Sequence, residues 1–83
     1  MKFQDKVAII TGSSQGIGKA TAKELSKLGA KIVLNGRNAE RLDKSVADLK
    51  SHGAEVIGVV GDVAEVSQAQ NLIDKTIETF GRL

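Results

Sequence analysis

The sequence contains no cysteine, no proline, no tryptophan and no tyrosine. Without cysteine the protein has no disulfide, no thiolate nucleophile and no cysteine-based metal site, which fits a reducing compartment. One histidine, His52, is too few for a metal site or a catalytic triad. The two aromatic residues, Phe3 and Phe80, are too few to form the stacking surface that binds single-stranded nucleic acid. We therefore expect neither a metal ion nor a nucleic acid as a ligand.

Long apolar segments are also missing. The longest unbroken apolar run is Val7–Ile10, whereas a membrane-spanning helix needs about 20 apolar residues. No apolar core of a signal peptide follows residues 1–6. We therefore expect a soluble cytoplasmic protein without a membrane partner.

Charge is unevenly distributed along the chain. Residues 1–41 carry eight Lys or Arg and three Asp or Glu (+5), and residues 42–83 carry four and seven (−3), which gives the net charge of +2. A basic half could face an anion such as a phosphate. Lys19, Lys23 and Lys27 recur every four residues, which predicts a solvated outward stripe on a helix.

Two kinds of apolar pattern alternate along the sequence, one typical of strands and one typical of helices. Short apolar runs at 7–10, 32–34 and 56–60 predict strands that are buried on both faces. Apolar residues at helical spacing predict a helix after each strand. The expected core-facing positions are Ile17, Ala20, Thr21, Leu25 and Leu28 in the first helix, Leu42, Val46 and Leu49 in the second, and Val66, Ala69, Ile73, Ile77 and Phe80 in the third.

Glycine ends most of these elements in the absence of proline. Gly29, Gly53 and Gly81 follow the three helices, and Asn35-Gly36 is expected to close the second strand. The order βαβαβα predicts an α/β fold, a Rossmann-type parallel sheet with helices on both faces. Three strands make a small sheet of this type. We interpret residues 1–83 as the N-terminal half of a single dinucleotide-binding domain, the alternative being a complete minimal βαβαβα protein.

The glycine-rich segment lies between the first strand and the first helix. Residues 11–18 read Thr-Gly-Ser-Ser-Gln-Gly-Ile-Gly. Gly12 would let the chain turn off the strand, Gly16 would leave room for a phosphate, and Gly18 would let the helix approach the sheet. The free N–H groups at the helix start form an anion site. The alternative is a turn that serves packing alone.

At these residues the chain resembles the short-chain dehydrogenase/reductase family, whose cofactor signature Thr-Gly-x-x-x-Gly-Ile-Gly it matches without departure. Segments 6–12 and 80–83 and the element order are also similar, and the likeness is strongest to ketoacyl-reductase-like members. The resemblance implies a nicotinamide dinucleotide as cofactor and hydride transfer to or from a small carbonyl or alcohol substrate. For the full-length protein we expect a homo-oligomer.

The end of the second strand indicates which dinucleotide is preferred. An acidic residue there would bind the ribose 2′-hydroxyl of NAD(H), but Gly36 occupies that position and Arg37 follows it. A guanidinium group can hold a 2′-phosphate, and the resemblance likewise implies an NADP-type pattern, so we expect NADP(H) to be favoured over NAD(H). Ser13 could add a hydroxyl contact to that phosphate. Gln15 departs mildly from the pattern, since some NADP-type members carry a basic residue there. The alternative is that Arg37 is an ordinary surface arginine.

Asp62-Val63 follows the third strand. The resemblance implies that the Asp62 carboxylate accepts from the adenine amino group and that the next backbone amide reaches the ring. The alternative is that Asp62 caps a turn or the following helix, and His52 is expected to be a helix-end residue. The predicted cofactor-binding residues are Gly12, Ser13, Ser14, Gln15, Gly16, Ile17, Gly18, Arg37, Asn38, Asp62 and Val63.

No catalytic residue is assigned within this chain. The resemblance implies catalysis by Ser, Tyr and Lys with an assisting Asn, yet the chain has no tyrosine and no Asn-Asn-Ala-Gly segment. Three hypotheses stay open: the N-terminal portion of an oxidoreductase, a nucleotide-binding fragment without catalysis, and an interaction or folding module that binds no nucleotide. Continuation of the reading frame past Leu83 and a nucleotide titration would separate them.

Overall fold

The computed structural model describes residues 6–11 and 16–81. Strands and helices alternate along the chain, as the strand-like and helix-like apolar patterns of the sequence predict. They are β1 (Val7–Ile10), α1 (Gly16–Lys27), β2 (Lys31–Gly36), α2 (Ala39–Ser51), β3 (Val56–Val60) and α3 (Val66–Phe80).

The three strands form one parallel sheet in the order β1-β2-β3. Each pair of successive strands is joined through a helix, as parallel pairing requires. The carboxyl ends of all three strands consequently lie at the same edge of the sheet. This arrangement is the Rossmann-type fold that the element order predicts.

Strand β2 is longer than the sequence pattern indicates. Asn35 and Gly36 were expected to close it, but both belong to the strand and pair with Val59 and Val60. Both are buried. A polar residue is tolerated in this buried strand because the Asn35 side chain finds hydrogen-bond partners on β3.

The core has one layer on each face of the sheet. Ile32 and Leu34 of β2 face α1 and α2, where they contact Ala22, Leu42 and Leu49. The intervening residue of β2 faces α3, and that smaller cluster consists of Val33, Val59 and Leu72, with Val7, Ile9, Ile57 and Phe80 against it. Burial on both faces, predicted for all three strands, holds for β2 alone. Strand β1 is half-buried and β3 is partly exposed, with Val60 48% exposed, because both lie at the edges of this sheet.

Glycine ends the helices where it was expected. Gly29, Gly53 and Gly81 have φ values of 98°, 86° and 74°, a left-handed conformation that glycine adopts without steric cost. His52 is the C-terminal cap of α2: its backbone N–H donates to the Leu49 carbonyl at 3.1 Å, and the Gly53 N–H donates to the Lys50 carbonyl at 2.9 Å. The prediction that His52 is a helix-end residue is confirmed.

Two of the predicted helix faces are partly wrong. In α1, Ala20 and Thr21 are exposed and Leu28 is 39% exposed, while Ala22 is fully buried and Leu25 packs against the same core. Gly18 lies one turn before Ala22 on the same side of the helix. The side of α1 that packs on the sheet therefore consists of two small residues, Gly18 and Ala22, and of Leu25.

In α3 the sheet contact is rotated by about one residue position from the predicted stripe. Leu72 and Thr76 are buried, whereas Val66 is 85% and Ile77 is 47% exposed. The apolar part of the α3 surface is wider than the part that packs against the three strands. The sequence pattern of α3 alone therefore does not indicate which apolar residues are buried.

The lysine stripe of α1 is also not simply solvated. Lys19 Nζ lies 3.0 Å from Asp48 Oδ2 and so connects α1 to α2. The Lys19 ammonium, through its hydrogen bond and its charge, lowers the pKa of Asp48 below its ordinary value. Lys27 pairs within its own helix with Glu24 at 3.5 Å.

None of the helices in the described ranges combines the length and the apolar character that crossing a membrane requires.

Candidate cofactor site

The candidate site lies at the carboxyl ends of the strands. Thr11, Arg37 and the Gly61-Asp62 pair directly follow β1, β2 and β3. In open α/β sheets, ligands bind outside this edge. The fold therefore brings two of the segments singled out in the sequence, 35–38 and 61–63, side by side.

Arg37 and Asp62 face each other across this edge. Arg37 Nη1 and Asp62 Oδ2 are 4.0 Å apart, and the two side chains are 81% and 41% exposed. A pair this open and this long contributes little to folding stability. The guanidinium group is therefore available to an incoming anion at small cost.

The Asp62 carboxylate is oriented by its own turn. Its Oδ1 accepts a hydrogen bond from the Ala64 backbone N–H at 2.9 Å, while the Asp62 backbone N–H donates to the Gln68 side chain. One oxygen thus caps the turn, which was the structural alternative for this residue, and the other is directed toward Arg37. Val63, next in the chain, is 40% exposed.

Asn35 is a residue of this edge that the sequence analysis did not single out. Its side-chain amide is 3% exposed and donates to the backbone carbonyls of Val59, at 2.9 Å, and Gly61, at 3.2 Å. The available signal was an amide directly after three apolar strand residues, a pattern that was interpreted as the end of the strand.

Asn38, one of the predicted cofactor-binding residues, has a structural role in the fold. Its Oδ1 accepts from the Arg41 backbone N–H at 2.9 Å and caps α2. Helix α1 begins at Gly16, within the glycine-rich segment, and its first turn includes Gly18. Gly12, Ser13, Ser14 and Gln15 lie outside the described residues, and so does the side chain of Ile17.

Two grooves among the described residues include none of the predicted cofactor-binding residues. One follows β3 and α3, and the other lies at the amino ends of β2 and β3. The first is lined by Ile57, Gly58, Val59, Val60, Asn71, Lys75 and Thr79, and the second by Ser26, Gly29, Ala30, Lys31, Gly53, Ala54 and Glu55.

Known proteins share both this sequence and this arrangement. The sequence model of a family described as short chain dehydrogenase matches residues 6–83. The chain is 44% identical over 82 residues to tropinone reductase-like 3 of Erythroxylum coca, covering 99% of the chain and 32% of that protein. The chain thus spans about a third of the length of the curated relatives it matches.

Solved structures agree closely with the fold. A short chain dehydrogenase/reductase from Burkholderia phymatum in complex with NAD superposes with a TM-score of 0.94 at 42% identity, over 100% of this chain and 30% of that one. The L-sorbose reductase of Gluconobacter frateurii, complexed with NADPH and L-sorbose, gives 0.90 at 39% identity, over 98% and 32%. By family match, sequence identity and fold, the chain belongs to the short-chain dehydrogenase/reductase family of oxidoreductases.

Proposed function

We propose that residues 1–83 form the adenosine- and phosphate-binding half of the Rossmann domain of an NADP(H)-dependent oxidoreductase. The observation that carries the proposal is the exposed guanidinium of Arg37 at the carboxyl end of β2, where an NAD-binding domain would have a carboxylate. The reaction we propose for the full-length protein is hydride transfer between the nicotinamide and a small carbonyl or alcohol.

The residues at this edge fit such a dinucleotide. Arg37 presents a charged donor fork to a 2′-phosphate, and the half-exposed Asp62 carboxylate can accept from the adenine amino group. Gly36, where the acid would be, is buried in the strand with its carbonyl bonded to the Gly61 N–H at 3.0 Å. The two neighbours described above bind NAD in one case and NADPH in the other, so the preference rests on this chain's own residues.

The remaining predicted residues complete the binding site in this proposal. The backbone of residues 12–18, at the start of α1, would hold the pyrophosphate through free N–H groups. Ser13 would add a hydroxyl to the 2′-phosphate, and the backbone at Val63 would reach the adenine ring. Asn38 would approach the ribose while it caps α2.

The chain supplies no proton for the reaction. When bound, the dinucleotide would supply or accept the hydride, and the alkoxide formed on reduction of a carbonyl needs a proton donor. The chain contains no tyrosine, so we place the catalytic Tyr, Lys and Ser in the remainder of the full-length protein. Residues 1–83 alone would bind nucleotide without catalysis. A ketoacyl-reductase-like substrate, homo-oligomeric assembly and a cytoplasmic location stay predictions.

The proposal is tested by neutralising Arg37 in the full-length protein. Since this side chain is 81% exposed, Arg37→Gln should leave folding unchanged. It should weaken NADPH binding about tenfold to a hundredfold, because a charge-assisted contact contributes about 1.5–3 kcal/mol, and leave NADH binding unchanged. Lys44→Gln removes the same charge from an exposed site on α2. This control should change neither the binding of NADPH nor the binding of NADH.

The reverse preference can also be engineered. Gly36→Asp combined with Arg37→Gln should favour NADH, since the new carboxylate repels the 2′-phosphate and can accept from a 2′-hydroxyl. Affinities are measured by titration of the cofactor fluorescence. If Arg37→Gln weakens NADPH and NADH equally, the assignment of Arg37 to the 2′-phosphate is wrong.

A further inference from the structure

A buried amide connects the carboxyl ends of β2 and β3. Asn35 is 3% exposed and follows three fully buried apolar residues of β2. A buried amide is unfavourable unless its hydrogen bonds are made. An aliphatic side chain would avoid that cost. The presence of the amide therefore directs attention to the backbone groups that its hydrogen bonds hold in place.

Hydrogen bonds from the Asn35 side-chain amide connect β2 to β3 and to the residue just beyond it. Its Nδ2 donates to the carbonyl of Val59, its register partner, and to the carbonyl of Gly61, which lies beyond the last residue of β3. One main-chain bond, from the Gly61 N–H to the Gly36 carbonyl at 3.0 Å, accompanies them. Gly61 is therefore attached to β2 through both its N–H and its carbonyl.

These bonds join the two strand ends that carry Arg37 and Asp62. Arg37 comes two residues after Asn35, and Asp62 directly follows Gly61. The 4.0 Å separation of their side chains depends on the carboxyl ends of both strands staying in register. Because the Arg37–Asp62 pair is long and exposed, it does not itself hold them together.

We propose that Asn35 is a positioning residue for cofactor selectivity: it fixes Arg37 and Asp62 at the spacing that an adenosine carrying a 2′-phosphate requires. The inference rests on the proposed function and deepens it. Asn35 does not contact the cofactor in this account. It acts through the Val59 and Gly61 carbonyls.

The test compares Asn35→Leu with Thr76→Val in the full-length protein. Both changes remove a buried hydrogen-bonding group while keeping the number and branching of the side-chain heavy atoms. The Thr76 hydroxyl, however, donates to the Leu72 carbonyl of its own helix, at 2.8 Å, on the same face of the sheet. Thr76→Val should therefore lower stability without moving the two ligand residues.

The readout is binding rather than turnover. Dissociation constants for adenosine 2′,5′-bisphosphate and adenosine 5′-monophosphate are measured by calorimetry, together with the Tm. Asn35→Leu should reduce the preference for the bisphosphate about tenfold, and Thr76→Val should leave it unchanged. Asn35→Thr, which keeps one donor, should give an intermediate preference and serves in place of Asn35→Leu if that variant does not fold.

The outcomes are distinct for the two proposals. If the wild-type protein prefers the bisphosphate and the Asn35 variants keep that preference, Asn35 has only a structural role and the inference is wrong while the proposed function stands. If the wild-type protein binds neither nucleotide, the proposed function is wrong and the inference with it.

Discussion

Gly58→Ala should destabilise the protein although it adds a single methyl group to an edge strand. A Cβ on Gly58 would lie 2.9 Å from Val46 Cγ2 and 3.2 Å from Leu42 Cγ. Leu42 is 1% exposed and belongs to the main core cluster, so it has no space into which to retreat. Overpacking of this kind costs about 1–3 kcal/mol. For a domain of about 150–250 residues, that corresponds to a Tm lower by about 2–12 °C.

A double-mutant cycle tests the cause of the destabilisation by Gly58→Ala as well as its magnitude. Val46→Ala removes the atoms nearest to the added methyl group. The double variant Gly58→Ala/Val46→Ala should therefore be destabilised by about 1 kcal/mol less than the sum of the two single destabilisations. Gly61→Ala is the matched control, because its Cβ would meet only the flexible Gln68 side chain, at 3.2 Å, and should cost less. Unfolding is followed by circular dichroism at one protein concentration. Additive single effects would refute the proposed contact between α2 and β3.

Three further predictions concern charge, the glycine-rich segment and catalysis. Lys19 lowers the pKa of Asp48 below 3.8, so the pair should stabilise the fold above about pH 4 and lose that effect as the pH falls through the lowered pKa. Asp48→Asn should therefore reduce the urea midpoint at about pH 7 but not at about pH 2, and an equal reduction at both would contradict the pairing. Gly16→Val should abolish NADPH binding with the Tm nearly unchanged, whereas Gly18→Val should lower both, and unchanged binding by Gly16→Val would overturn the phosphate-site interpretation. Residues 1–83, expressed alone, should reduce no carbonyl with NADPH and should be weakly stable or self-associate. Turnover by that fragment at even about a hundredth of the full-length rate would show that the missing tyrosine is dispensable.

The sequence predicts the order of elements and their ends well because both depend on local chemistry. Continuous apolar runs mark the strands, and a glycine such as Gly53 or Gly81 ends a helix in a conformation that other residues rarely adopt. These signals lie within a few neighbouring residues. They do not depend on where the rest of the chain folds.

The features that the sequence did not predict depend on contacts between distant residues. Asn35 reads locally as a turn former, and only its register with Val59 turns it into a buried strand residue. The bridge from Lys19 to Asp48 likewise depends on how two helices lie against each other. In α3 the buried positions Leu72 and Thr76 depend on which side of a broad apolar arc meets the sheet.

For the candidate site, the sequence located the two segments that the fold then places together. It identified Arg37 and Asp62 as separate contacts to the cofactor. It gave no sign that their side chains face each other at 4.0 Å, since that distance arises from strands β2 and β3 being neighbours.

The central claim is that this edge of the sheet binds NADP(H) through Arg37. The most direct measurement is a parallel titration of the unmodified full-length protein with NADPH and NADH, at one ionic strength. The account predicts that NADPH binds about tenfold to a hundredfold more tightly, as one charge-assisted contact to the 2′-phosphate requires. Equal affinity, or tighter binding of NADH, would contradict it.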